Sequence, residues 1–330
     1  MHLVSKLAAA PSRPRAELAA ANLAERRRRH EVARALAQQH DGVVTRRMLA
    51  DAGLTPGQVR REIEAGAWHV VGLHTLAVSG VAPQGAGVWW RALWESGQHA
   101  VLDGPTALLA GGLRGWTEEL VHVTVPNRAR VRAIAGVRHH RVRDRGPIID
   151  AGLRRTRPEV AALRAAMWAA SDRQAATVLA MSIQQRLVPP DRVLQRWADV
   201  AHSPRRRLLD AVIRDLCDGA HSLGELDFAR LCRERGIEEP TRQAVRTGAR
   251  GRVYLDAWWD ECGVHAEING AQHEQGLAPV DDALRANDLA LNGVKTSLEI
   301  PVLGLRLHPD RFLDQVARAL EFGRRRRQEG

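Results

Sequence analysis

The chain has 330 residues, 45% of them hydrophobic and 26% charged, which suits a globular protein of two or three domains. Forty-nine Lys and Arg against 38 Asp and Glu leave a net charge of +11, so polyanions attract it, nucleic acid first and an anionic membrane surface second. The composition argues against a membrane span, a signal peptide, a disulfide framework and a structural zinc site. No apolar run is long enough to cross a bilayer, no clean apolar core follows Lys6, and Cys217, Cys232 and Cys262 lack paired spacing. A reducing, cytoplasmic compartment is the expectation.

Lys6 and Lys295 are the only lysines, so the positive charge is Arg. Arg suits two-point contact with phosphate and guanine, although a GC-rich genome also enriches it. Residues 1–30 are Ala-rich, end in Arg26, Arg27, Arg28, Arg29 and His30, and read as a flexible or partly helical basic arm.

Residues 31–80 have the rhythm of a winged helix-turn-helix. A short amphipathic helix over Glu31–Gln39 is broken at Asp41 and Gly42. Thr45 caps a second helix running to Ala52, and Gly53 permits the turn. Thr55 and Pro56 open a third helix to about Ala65. Trp68–Val71 and Thr75–Val78 then form a hairpin around Gly72. In that fold the third helix enters the major groove of DNA. Here it carries Gln58, Arg60, Arg61 and Glu64, with Gln58 and Arg61 on one face as candidate base readers. A small helical domain with a solvated basic face is the competing reading.

Residues 81–215 form a mainly helical middle region. Val88–Trp94 is an apolar helix that sends Trp89, Trp90 and Trp94 to the core, and Thr106–Ala110 is another. Val121–Val125 alternates like a strand and stops at Pro126, and Arg138–Arg141 offers a second strand. His122, His139 and His140 stand beside no carboxylate cluster and read as structural or phosphate-facing. From Arg157 to about Cys217 the pattern is helical, broken at Ser171, at Pro189 and Pro190, and at Ser203 and Pro204.

The chemistry is concentrated near residue 260. Tyr254–Trp259 and Val264–Asn269 read as strands joined by the four-residue turn Asp260–Gly263. A turn centred between Glu261 and Cys262 sets Asp256 directly opposite Glu267, with Cβ atoms about 4.5–5.5 Å apart. Two like charges so placed destabilise a sheet, and a divalent cation between them removes the conflict. Mg²⁺ takes oxygen ligands, often one or two carboxylates with several waters. Asn269 shares the face of Glu267, and Tyr254 opposes it. Glu225 is either a further carboxylate for the site or, with Ser222, half of a capping box opening a helix Leu223–Arg235. Thr241–Thr247 adds an edge strand. Beyond the hairpin come a helix Val280–Leu291, a strand Val294–Ile300 and a helix Pro309–Phe322. The run Arg324–Arg327 opens a frayed basic tail, 324–330.

From Ser222 to Leu320 the chain resembles bacterial uncharacterised domains related to the very-short-patch-repair endonuclease, within the PD-(D/E)xK nuclease superfamily. The residues that carry the likeness are Leu255 and Asp256, then Glu267, Ile268, Asn269, Gly270, Ala271, Gln272 and His273, then Asp282, Arg285 and Asp288 through Gly293. The N-terminal half is similar to the winged-helix domain of AbiEi-type antitoxins.

The nuclease resemblance implies a restriction-endonuclease-like α/β/α domain over 216–323, in which Asp256 and Glu267 hold Mg²⁺ with the Ile268 carbonyl as a third oxygen. It implies His273 as general base or as the group orienting water or phosphate, Glu225 as an outer metal ligand, and Gln272 and Arg285 as contacts to the DNA backbone. Asn269 stands where the superfamily has Lys; its oxygen can still bind a metal, but it supplies no cationic or basic group. The expected protein is α+β, binds DNA, and is either a Mg²⁺-dependent endonuclease or a non-catalytic regulator with a degenerate nuclease fold. A homodimer or a toxin partner is the expectation that accompanies the antitoxin likeness.

Overall fold

The computed structural model describes residues 15–217, 228–247, 253–269, 278–292 and 297–329. The protein is α+β and divides into two compact units, residues 1–100 with 129–137, and residues 101–128 with 138–330. Most of the expected middle region therefore lies in one unit with the C-terminal region, while its residues 81–100 and 129–137 belong to the N-terminal unit. Among the described residues no helix is long and apolar enough to cross a membrane.

The first unit starts with α1 (Arg15–Ala37), one continuous helix where the sequence suggested a flexible or partly helical arm followed by a short helix. The reason is in the partners of the arginine run. Arg29 is buried and, with Arg26 and His30, meets the buried carboxylate of Glu62. Asp41 and Gly42, both in the left-handed region, end the helical segment as expected. Next come β1 (Val43–Thr45), α2 (Arg46–Asp51), α3 (Pro56–Glu64), β2 (His69–Val70) and β3 (Thr75–Ala77). Thr45 and Thr55 cap α2 and α3 as read from the sequence. The strand β1 was not foreseen; it completes a sheet of order β1-β3-β2. Ala33, Val44, Leu49, Leu54, Val59, Trp68 and Leu76 form the core beneath it.

In the same unit α4 (Ala86–Ser96) holds the hairpin loop through one carboxylate. Buried Glu95 accepts hydrogen bonds from the backbone of Leu73 (3.0 Å) and His74 (2.7 Å) and from Thr75 Oγ1 (2.8 Å), and pairs with Arg132. A Cβ at Gly72 would meet that carboxylate at 2.3 Å, which explains the glycine. Trp89, Trp90 and Trp94 are half-buried instead of lying in the core. The rings of Trp90 and Trp94 pack edge-on against His40, at 4.7 and 5.0 Å.

The second unit contains β4 (Val101–Leu102), α5 (Gly104–Ala110), β5 (Val121–Pro126), β6 (Val137–Val142), β7 (Ile148–Ile149) and β8 (Arg155–Thr156). Four helices follow, α6 (Pro158–Trp168), α7 (Asp172–Gln184), α8 (Pro190–Ala198) and α9 (Arg206–Cys217). The strands form a sheet of order β6-β5-β4-β8-β7. The helix breaks fall at the Ser and Pro positions that mark them in the sequence. At the sheet's centre Asp103 is fully buried and accepts from Gly104 N (2.7 Å), Thr124 Oγ1 (2.5 Å), Thr156 Oγ1 (2.7 Å) and Arg164. A buried carboxylate is tolerated only when so fully paired.

The rest of this unit is α10 (Phe228–Glu234), β9 (Arg242–Thr247), β10 (Val253–Trp259), β11 (Val264–Asn269), α11 (Ala278–Asn292), β12 (Ser297–Pro301), α12 (Val302–Leu307) and α13 (Pro309–Glu329). The helix α12 was not foreseen. The expected helix from Leu223 is described only from Phe228, and the strand expected from Val294 only from Ser297. The basic tail is not frayed: α13 continues through it to Glu329, held by Arg324 on Glu238 and by Arg327 on the Glu261 carbonyl. The sheet has the order β12-β11-β10-β9, antiparallel except for the parallel pair β11–β12. This mixed sheet with flanking helices is the arrangement expected from the sequence. Arg306 of α12 reaches buried Asp215 of α9 at 3.0 Å, one reason these residues and the preceding helices form a single unit.

Candidate functional site

The sheet β9–β12 has one apolar and one polar face, as strand periodicity dictates. Leu255, Ala257, Trp259, Val264, Ala266, Ile268, Leu298 and Ile300 are buried on the apolar side. Asp256, Trp258, His265, Glu267, Asn269, Ser297 and Glu299 alternate with them on the other. The turn sets the register expected, pairing Asp256 with Glu267 and Tyr254 with Asn269. The parallel strand β12 adds Glu299 opposite Glu267. Its register is fixed from α11, where buried Asn287 donates to the Glu299 carbonyl (2.8 Å) and accepts from the Glu299 N–H (3.0 Å).

Three acidic residues thus stand side by side across three strands. Asp256 is 6% exposed, and its Oδ1 lies 3.1 Å from His265 Nε2. The other ring nitrogen of His265 lies 3.3 Å from Ser297 Oγ, and the ring stacks on Trp258 at 5.3 Å. Burial, Glu299 and Asp256 push the Glu267 carboxyl above its ordinary value, against weaker opposing effects of His265 and an Asn269 hydrogen bond. The repulsion from Asp256, which sequence reasoning anticipated, comes after burial and Glu299 among the causes that raise it.

The residues fit a hard cation in part. Two facing carboxylates and an amide oxygen are donors that Mg²⁺ accepts alongside water. Among the described residues no three His, Cys, Asp or Glu side chains are arranged to hold a metal ion. Ile268 is fully buried on the opposite face, in a strand paired on both sides, so a cation would have to take its carbonyl from the ladder. Arg285 is exposed on α11 and pairs with Asp282. Glu225, Gln272 and His273 lie outside the described residues. The structure therefore brings Asp256, Glu267 and Asn269 together and adds His265 and Glu299. Strand alternation alone could have found His265, two residues before Glu267. Glu299 had no such signal, because a helix crossover, not a turn, sets its register.

The second candidate surface is α3. Arg60 and Arg61 are exposed, and Arg61 Nε reaches only the Gly57 carbonyl, at 3.4 Å. Gln58 is engaged locally. Its Oε1 accepts from Thr55 N–H at 2.8 Å, completing a capping box, and its Nε2 reaches Glu25 at 3.3 Å. Base reading by Gln58 would compete with that cap.

Two histidines of the middle region, His122 and His140, come together beside Trp168. His122 Nδ1 and His140 Nε2 lie 3.1 Å apart, and His140 lies flat on Trp168 with ring centroids 3.5 Å apart.

No family model matches the chain. No curated protein matches it either. Among solved structures, the crystal structure of the RV2827C protein from Mycobacterium tuberculosis is similar over 58% of this chain and 79% of that one, at 17% identity and a TM-score of 0.38. At that score the likeness carries no argument about this chain.

Proposed function

We propose that the chain is a DNA-binding protein whose C-terminal sheet carries a Mg²⁺-dependent site for phosphodiester hydrolysis. On this reading the first unit is a winged helix-turn-helix. Its α3 presents Arg60 and Arg61 to the major groove, and its β2–β3 hairpin is the wing, steadied by Glu95. The residues 228–329 then represent a restriction-endonuclease-like fold. The observation that carries the proposal is the pairing of Asp256 with Glu267 on the polar sheet face, with Glu299 beside them. Such a face is costly without a cation and useful with one. A bound Mg²⁺ would polarise a phosphate and acidify a water. Asp256 and Glu267 would hold the ion. His265 would orient Asp256, and Asn269 would orient Glu267. The net charge of +11 supplies the attraction to DNA.

A second reading, a non-catalytic DNA-binding regulator, is favoured by one observation. Asn269 occupies the position of the superfamily lysine and spends its side chain on Glu267. Cleavage of supercoiled plasmid in Mg²⁺ or Mn²⁺ separates the two readings. The nuclease predicts nicking by the wild type that Glu267→Ala abolishes while DNA binding remains. Binding without cleavage by either protein would leave the regulator.

A further inference from the structure

We infer that a cleft between α6 and α8 binds a small zwitterion, a free amino acid or short peptide carrying both an anionic group and a protonated amine. This goes beyond the DNA reading and does not depend on it. The cleft has a volume of about 300 Å³ and is lined by Arg157, Glu159, Arg192, Gln195, Arg196 and Asp199. Its walls follow from the helices. Arg157 and Glu159 flank Pro158 at the start of α6, which has no side-chain cap. Arg192, Gln195, Arg196 and Asp199 recur at helical spacing along one face of α8 and its end.

Glu159 is the decisive residue. It is 9% exposed and lines the cleft, yet among the described residues it accepts no hydrogen bond and forms no ion pair. Its carboxylate oxygens keep access to the water of the cleft, so a cationic group that enters can reach them. Arg157 and Arg192, both exposed at the same cleft, likewise have no carboxylate partner among the described residues. These opposite charges line one cavity without satisfying each other. Arg196 is held in place by Asp199 (3.3 Å) and Asp144 (3.8 Å). A Cβ on Gly146, which sits at a φ of 69°, would press on Arg196 and Val160 at 3.3 Å, so the wall there stays low.

The chemistry selects the ligand. Guanidinium groups take a carboxylate through paired hydrogen bonds, and Glu159 takes an ammonium group. Among the described residues no aromatic side chain lines the cleft, so a nucleobase would find nothing there to stack on. A cavity of this volume accommodates one amino acid or a dipeptide.

The test is calorimetric titration of the full chain with each standard amino acid and with diglycine, to millimolar concentration. Inorganic phosphate and spermidine serve as singly matched controls. At least one zwitterion should bind saturably, and Glu159→Gln and Arg192→Ala should each weaken it about tenfold or more. No binding by any zwitterion would overturn the inference. So would zwitterion binding that both variants leave unchanged, or phosphate binding as tightly as every zwitterion. Circular dichroism checks each variant. If Glu159→Gln fails to fold, the exposed Arg192→Ala decides the matter alone.

Discussion

Glu62 shows how one carboxylate can organise a small unit. It faces Arg29 at 2.7 Å, His30 at 2.9 Å and Arg26 at 3.0 Å. Burial alone would raise its pKa, but the hydrogen bonds from Arg29, His30 and Arg26 outweigh burial and bring it down to about 2. A depressed carboxyl contributes stability that is present above its ordinary value of 4.5 and lost as the pH falls toward 2. Acid titration followed by circular dichroism should show that loss in the wild type. Glu62→Gln should lower stability at neutral pH by a few kcal/mol and flatten the acid limb. The imidazoles of His122 and His140 behave with the same sign. Burial brings them down to about 4 and about 3, with Arg138 adding to both and His122 also acting on His140. The unfolded chain binds protons below about 6.5 that the folded one refuses, so stability falls as the pH drops from there. His140→Phe, which keeps a ring over Trp168, should reduce the slope between pH 4 and 6.5; an unchanged slope would assign it to other groups. Facing Asp256 and Glu267 could be read from sequence because a tight turn fixes register locally. The Glu62 cluster could not, because its partners lie more than thirty residues away.

The elements follow the same division between local and distant causes. Ser, Pro and Thr punctuation located α2, α3 and α6–α9, since caps and breaks act within a few residues. The arginine run of α1 resembled a solvated arm because sequence does not reveal that Arg29 is turned inward. The strand β1 and the register of β12 depend on partners formed by the tertiary fold. At α3, loss of the capping box in Gln58→Ala should cost about 1 kcal/mol in a thermal melt. If α3 reads DNA, Arg61→Ala should weaken its preferred site by about 1–3 kcal/mol and relax base preference. Equal weakening on every sequence would mark a phosphate contact. At α13, Gly323 lies against the hairpin turn, where an added Cβ would sit 2.1 Å from the Cys262 carbonyl oxygen. Backbone cannot yield as a flexible side chain does, so Gly323→Ala should destabilise the protein by about 1–3 kcal/mol.

At the scale of the whole molecule, charge matters more than any one contact. Forty-seven of the 49 basic residues are Arg, and many are already committed to internal ion pairs such as Arg29–Glu62, Arg164–Asp103 and Arg306–Asp215. Counting Arg from sequence therefore overstates the charge free to meet DNA. The number of phosphates engaged can be read from the fall of affinity with salt. If exposed Arg60 touches a phosphate, Arg60→Ala should reduce that slope by about one unit, whereas Arg29→Ala should destabilise the first unit instead.

Asp103 gives the second unit a different property. Its carboxylate joins the start of α5, strands β5 and β8, and helix α6 at one buried point. An opening that frees α6 removes Arg164 and leaves the buried carboxylate without its cation. Local opening at this point should therefore be rare, with the unit opening there as a whole. In deuterium exchange, the Gly104 amide would belong to the slowest class, its rate set by complete unfolding and not by local fluctuation.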